Sequence, residues 1–445
     1  LSDTDGFDTP DYSNHPILKR PGFAAFRHRD YRFYWASRAF AIFAIDLMSA
    51  TLLWQIWRIT GSELAYAAMG AGMFLPFLIL FPLSGMASDR FPRTRVMLGC
   101  ATLQTMCAIG FVFLTRADTS FSYYIPIIVL LGIARAFQMP AQQAVVPVLV
   151  PANHLANAIA WQSTGFQGAR VIGLGMSGVF IALGSNLGLD EQLGYGVAAA
   201  ILAVSAIFTA MIKAKAQIIS KDPLNLTNVS AGLKFVFSRP IILASIGLDL
   251  FAVLLGSAKA LMPIFATDVL FISEEQYGLL QASLMVGSLT FMFYLTQYPI
   301  RRQAGIKLLI AVGVFGVATI IFGLSTSFWL SLAALFVVGA ADSASVFVRN
   351  SLVQIITPDQ MRGRVNAVSA VFIGASNEMG DAESGVIAHW FGAVPAVIIG
   401  GVGTVLVAVI FARIFPQLRG VDSLDPDDLV AKYRDVPPKS PASSP

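Results

Sequence analysis

An all-α membrane protein of twelve transmembrane helices, arranged as two pseudo-symmetric six-helix bundles, is the fold class this sequence predicts, and three observations lead to it. First, 56% of the 445 residues are hydrophobic and only 13% are charged, with a mean hydropathy of +0.69, whereas soluble domains carry roughly 25% charged residues. Second, apolar runs of about 20 residues recur along the chain, each long enough to cross ~30 Å of hydrocarbon as a helix. Third, the pattern leading from Arg135 into Pro151 returns at the same spacing from Asp342 into Pro358. The runs are continuously apolar, without the alternation of barrel strands, which excludes a β-barrel.

Taken in order, the first run, 33–57, follows an amino-terminal segment, 1–32, expected to be cytoplasmic, and is too long for a signal-peptide core, so it is read as a span. The second, 63–86, ends in the charged stretch "GMASDRFPRTR" from Gly85 to Arg95. The third, 96–115, holds the two cysteines, Cys100 and Cys107. Seven helical residues separate their α-carbons by about 10 Å, too far for a disulfide, and they read as small core residues. The fourth, 121–147, runs into the loop at Pro151. The fifth, 158–183, carries Gly165, Gly168, Gly173, Gly175 and Gly178, a composition suited to close helix packing and bending. The sixth is 194–214.

The polar "KDPLNLTNVS" within 215–239 cannot span and links the first bundle, 33–214, to the second, 240–415. The seventh run, 240–267, includes Asp249 and Lys259, the latter near enough to an interface to snorkel. The eighth, 276–299, and ninth, 305–325, flank "YPIRRQAGIK", which has bases but no aspartate. The tenth, 328–355, runs into Pro358. The eleventh, 364–390, is the most polar, and the twelfth, 393–414, precedes a tail, 416–445, whose end, "VPPKSPASSP", has the composition of a disordered segment.

Charge orients these runs. Of the 30 Lys and Arg, 23 fall in segments on the amino-terminal side of the membrane, while the opposite loops hold Arg58 and Arg116 among seven acids. The positive-inside bias predicts cytoplasmic termini. The net charge of +4 follows from this bias and calls for no nucleic-acid partner. The remaining bases, Arg38, Arg135, Arg170, Lys259 and Arg349, lie within the runs beside Asp46, Asp249, Asp342, Glu378, Asp381 and Glu383. An ionised group at mid-depth costs about 2.5–3.5 kcal/mol, so these must pair or line water.

Arg135, Gln138 and Gln142, spaced i, i+3, i+7, share one face of the fourth helix. They read as a cavity wall, or alternatively as an interhelical hydrogen-bond brace. Asp342 and Arg349 lie two turns apart on one face of the tenth helix, and Asn377, Glu378 and Asp381 fall within a narrow arc of the eleventh. With Arg38 these are the candidate substrate-cavity residues. Glu378 and Asp381 repel when both are ionised, which marks them as candidate proton carriers; Glu383 points away from Glu378 and reads as structural. Sixteen residues separate Arg135 from Pro151 and Asp342 from Pro358, so Arg135 and Asp342 occupy equivalent places in two parallel repeats.

These stretches, with "SRAFAIFAIDLMSATLLWQIWRITGS", "LGIARAFQMPAQQAVVPVLVP", "RGRVNAV" and "SNEMGDAESG", resemble the major facilitator superfamily, and within it the enterobactin-exporter-like branch that includes macrolide efflux proteins. The likeness runs from about Phe26 to Phe415. Gly85, Asp89, Arg90, Arg93 and Arg95 match the superfamily's loop motif, with Pro92 in place of its second glycine. The resemblance implies a cytoplasmic latch in which Asp89 bonds the amino-terminal end of the eleventh helix near Arg364; the plainer reading is a positive-inside loop. Arg135, Gln138 and Met139 resemble the Arg-x-x-Gln-Gly motif. The fifth helix is only loosely similar to the glycine-rich antiporter motif, since Leu174 replaces its proline. Asp46 matches an acidic position of the branch and is the foremost proton-coupling candidate, with a nearby Arg135 competing for its charge; a static buried ion pair is the alternative.

The resemblance implies a proton-coupled secondary transporter in the bacterial inner membrane, a monomer with a bulky amphipathic small-molecule substrate such as a siderophore or drug, bound centrally between the halves and exported by alternating access. Import, or lysophospholipid translocation, would suit the same fold. No Gly-x-x-x-x-Gly-Lys-Ser/Thr sequence occurs, so the expected energy source is an ion gradient. His15, His28, His154 and His389 are scattered, and neither a metal, a cofactor nor a membrane-embedded catalytic site is expected. The two-fold repeat argues against a non-transporting receptor.

Overall fold

The computed structural model describes residues 21–117, 119–213, 233–298, 300, 302–424, 426–429 and 432–433. Most of the linker predicted at 215–239 and the Pro/Ser-rich end of the tail therefore lie outside the described residues. Helices dominate the described residues, and none is in a strand. The twelve long helices are α1 (Arg29–Thr60), α2 (Glu63–Arg90), α3 (Arg93–Arg116), α4 (Tyr124–Leu149), α5 (Ala152–Leu187), α6 (Gln192–Ala210), α7 (Pro240–Gly256), α8 (Glu274–Gln297), α9 (Ala304–Leu324), α10 (Phe328–Ile356), α11 (Asp359–Phe391) and α12 (Ala393–Ile414).

Eleven described segments are long and apolar enough to cross a membrane. The helix that falls short is α11, where Asn377, Glu378, Asp381 and Glu383 interrupt the apolar sequence. Large apolar side chains cover much of the exterior, among them Ile79, Phe113 and Phe293, while Trp329 and Trp390 are exposed close to helix ends, where aromatic rings favour the membrane interface.

Helix ends follow local chemistry. Pro92, Pro151 and Pro358 each sit at the N-cap of a helix, α3, α5 and α11 respectively. The last two repeat one local geometry: a long helix, a single extended residue (Val150 or Thr357), then a proline that opens the next helix. Gly188 closes α5 in the left-handed region at φ 68°, a conformation that costs glycine little. Ser273 and Gln276 form a reciprocal capping box that starts α8.

The chain packs as two compact units. The first comprises the described parts of Leu1–Leu52 and Leu75–Asp222. Within it α3 packs against α4 and α6, and Tyr31, Tyr34, Met97, Ala141, Val145 and Leu149 build a core at one end. Ser37 of α1 bonds Ser205 at 3.1 Å and Thr209 of α6 at 2.6 Å. Such bonds hold helices together where no water competes.

The second unit comprises Leu53–Phe74 and the described part of Pro223–Pro445. Here α9 packs against α10 and α12, α8 against α10, and α7 against α11 and α12. The adjoining ends of α1 and α2 belong to this unit. Trp57 Nε1 donates to Thr267 Oγ1 at 2.8 Å, and Trp54 lies against Tyr277 with ring centroids 4.9 Å apart. The described start of the tail docks on α9, where the Ala304 and Gly305 amides donate to the carbonyls of Asp422 (3.1 Å) and Val421 (3.0 Å).

The run predicted as one span at 240–267 is interrupted. Helix α7 stops at Gly256, Ser257 is extended, and short helical turns carry the chain from Lys259 to Val269. Hydropathy does not signal the break because Ser257 and Lys259 are isolated in an otherwise apolar stretch. What sustains it is polar contact with α11: Ser257 Oγ donates to Asp381 Oδ1 at 2.7 Å, and Ser384 Oγ donates to the Ser257 carbonyl at 2.7 Å. Backbone freed from a helix at such depth needs partners of this kind.

Candidate functional site

In the first unit the polar site is built on α1 and α5. Gly173 of α5 lies so close to α1 that an added Cβ would meet the Phe43 carbonyl oxygen at 2.5 Å. One turn from this approach, Arg170 Nε donates to Asp46 Oδ2 at 3.1 Å. The sequence indicated that Asp46 needed a basic partner and suggested Arg135; the observed partner is Arg170, because glycine packing brings α5 alongside α1. The Arg170 side chain is 44% exposed and that of Asp46 15%, although both residues are near the middle of their helices.

Arg38 adds a second guanidinium. It lies 5.3 Å from the Phe166 ring centroid and beside the Tyr34 hydroxyl, which itself donates to the Gln142 carbonyl at 3.3 Å. Two donors linked through Tyr34, Arg38 Nε and Gln142 Nε2, are buried without a hydrogen-bond partner. The other amide of the predicted stripe is engaged: Gln138 Oε1 accepts from Gln104 Nε2 of α3 at 2.8 Å. Arg135 is half-buried on the same helix.

In the second unit, Arg349 and Asp249 form an ion pair joining α10 to α7, with side chains only 5% and 7% exposed. Asp381 accepts from Ser257, as described above, and Asn377 donates to the Ile373 carbonyl of its own helix at 2.7 Å. Asp342 stands on α10 two turns before Arg349 and lines a small cavity with Asp249. The side chains of Glu378 and of residues 81–90, including Gly85, Asp89 and Arg90, lie outside what is described, as does that of Arg364. Of the loop motif, Arg93 and Arg95 begin α3, where the Pro92 carbonyl accepts from the Arg95 amide at 2.8 Å.

One pairing had no signal in the sequence. His28 and His154, 126 residues apart, are joined by a 2.9 Å hydrogen bond between Nε2 and Nδ1. The turn before α1 docks on the start of α5, helped by the Ala25 amide donating to Asn157 Oδ1 at 3.0 Å and by Trp161 against Phe23 and Phe26. Burial, then the neighbouring His154 and Arg27, push His28 below its ordinary value of 6.5. A base with a depressed folded-state pKa adds stability that is present above its unfolded value and is lost as the pH falls through the folded value. Acidification below 6.5 is therefore expected to loosen this docked turn and raise its amide hydrogen exchange. His28→Gln should flatten the dependence; an identical acid response in the variant would show that His28 is not its source.

The helices, the repeated proline junctions and the buried polar side chains together describe a polytopic membrane protein. A family model described as "Transmembrane secretion effector" matches residues 20–436. The chain belongs to that family of the major facilitator superfamily. Among curated relatives, the enterobactin exporter EntS of Citrobacter koseri is 25% identical over 405 residues, covering 88% of this chain and 93% of the relative. EntS of Escherichia coli strain SMS-3-5 is 24% identical over 430 residues, covering 94% and 96%. The solved structure of a bacterial homologue of the human lysosomal transporter Spinster superposes with a TM-score of 0.68 at 15% identity, over 88% of this chain and 97% of that one. A D-xylose–proton symporter also gives 0.68, at 17% identity, over 88% and 98%. These structures establish the major facilitator fold. The protein is a multi-pass transporter of this superfamily and not an enzyme.

Proposed function

We propose that the transporter is a proton-coupled exporter of a bulky, amphipathic, oxygen-rich small molecule of the siderophore class, working as a monomer in a bacterial inner membrane with both termini cytoplasmic. The observation that carries the reading is the Asp46–Arg170 pair, 3.1 Å long and partly exposed midway along two spanning helices. Charge exposed at that depth is tolerated only beside water or a polar substrate. The unpartnered donors Arg38 Nε and Gln142 Nε2 suit a ligand rich in oxygen acceptors, and the enterobactin exporters resembled along most of the chain agree with that chemistry.

In this reading Asp46 alternates between Arg170 and a proton. While Asp46 is ionised the pair is closed; protonation releases Arg170 to meet the substrate. Arg135 and Gln138 extend the polar wall of the first unit, Asn377 adds a polar side chain in the second, and the loop motif from Gly85 to Arg95 governs which side is open.

Enterobactin movement by the reconstituted transporter tests this. One pH unit across the membrane is worth about 1.4 kcal/mol per proton, or tenfold in accumulation. The wild type should respond on that scale, and Asp46→Asn should lose the response. Indifference of the wild type to the gradient would remove proton drive, and failure to move enterobactin at all would remove the siderophore assignment.

A further inference from the structure

Within the second unit, α7, α9 and α10 form a half-open cavity of about 10 Å³ lined by Asp249, Ala252, Val312, Phe315, Asp342 and Ser345. That is room for about one water molecule, far too little for an organic substrate. Two carboxylates face it, and their surroundings differ. Asp249 is neutralised by Arg349. Asp342 makes no hydrogen bond or ion pair with a described residue, and seven helical residues hold its α-carbon about 10 Å from that of Arg349. Ser345, one turn along on the same face, is 5% exposed, and its hydroxyl has no hydrogen-bond partner among the described residues.

The elements packed around Asp342 supply no further charge to the cavity. Helix α9 contributes Val312 and Phe315, and α8 meets α10 through the Ser288–Ser343 hydrogen bond. Helix α7 contributes Asp249, and α10 itself contributes Arg349, already spent on Asp249. The site thus has two carboxylates and one guanidinium, an unused hydroxyl and space for a single small occupant. Asp342 is half-buried, while the Ser345 hydroxyl is buried without a partner among the described residues, which is costly, and the cavity is short of one positive charge.

We propose that this cavity binds one monovalent cation, a proton or a sodium ion, at Asp342, with Ser345 and the Asp249 carboxylate supplying the neighbouring oxygens. The site is distinct from the Asp46–Arg170 pair and lies in the other unit. It depends on the transporter fold and not on the export reading.

Infrared difference spectroscopy of the full-length protein in liposomes, stepped in pH in sodium chloride or in choline chloride, tests this without any substrate. If a proton is held, the carboxylic-acid carbonyl band of the wild type should lose one component in Asp342→Asn. Ser345→Ala, a smaller change that safeguards against misfolding, should shift that component. If sodium is held, sodium chloride but not choline chloride should abolish that component, and radioactive sodium binding should fall in both variants. Identical spectra in all three proteins, with no difference between the two salts, would overturn the site. Loss of the enterobactin response with the Asp342 component intact would reject the export reading alone.

Discussion

Asp249→Leu is expected to destabilise the transporter by about 3–5 kcal/mol, because it leaves the Arg349 guanidinium buried without its counter-charge. The environment sets that scale: both side chains are less than a tenth exposed, and Arg349 Nε already has no hydrogen-bond partner, so no nearby group takes over. Asp249→Leu combined with Arg349→Met should recover most of the loss or exceed the wild type, since an apolar pair of similar volume avoids desolvating two ions. Thermal unfolding in detergent of the wild type, both single variants (Asp249→Leu and Arg349→Met) and the double variant, read as the fraction remaining monodisperse, completes the double-mutant cycle. Equal stability of the single and double variants would show that the pair is not a coupled unit. The double variant keeps Asp342 but removes the Asp249 oxygens that line the same cavity, so the Asp342 infrared component should remain present but shifted.

Gly339→Ala should be nearly as damaging. Helices α8 and α10 approach through reciprocal glycines: a Cβ on Gly339 would overlap the Leu284 carbonyl, and one on Gly287 the Phe336 carbonyl. Backbone on both sides cannot swing aside as a side chain does, so the helices must separate, weakening the Ser288–Ser343 and Ser283–Leu332 hydrogen bonds. Overpacking of this kind costs about 1–3 kcal/mol, and occasionally more. Gly313→Ala on α9 is the control: nothing lies within 4 Å of its added Cβ, and alanine is favoured in helices by up to about 1 kcal/mol. A Gly339→Ala protein melting with the control would mean the interface has slack.

Much of the architecture was legible because span formation is a local property. A run of apolar residues pays little to enter hydrocarbon whatever its neighbours are, so α1 to α6 and α8 to α10 could be placed from hydropathy alone. The spacing from Arg135 to Pro151 and from Asp342 to Pro358 located two equivalent junctions, and prolines indeed open α5 and α11 there. Helix α11 shows the opposite balance: its polar residues keep it from qualifying by composition, its run at 364–390 is legible only as a weak apolar stretch, and Pro358 marks where it begins. The break after Gly256 was not legible, since its cause is two hydrogen bonds from a helix more than 120 residues away.

The sequence by itself determined that ionisable groups occur at bilayer depth, which helices carry them and that each needs a partner or water. Only the tertiary structure decided the partners: Arg170 for Asp46, Asp249 for Arg349, His154 for His28, and a cavity without a counter-charge for Asp342. The reason is geometric. Depth follows from counting residues at 1.5 Å each, whereas partnership depends on which helices adjoin and how each is rotated about its axis, and contacts such as Gly173 against Phe43 set both.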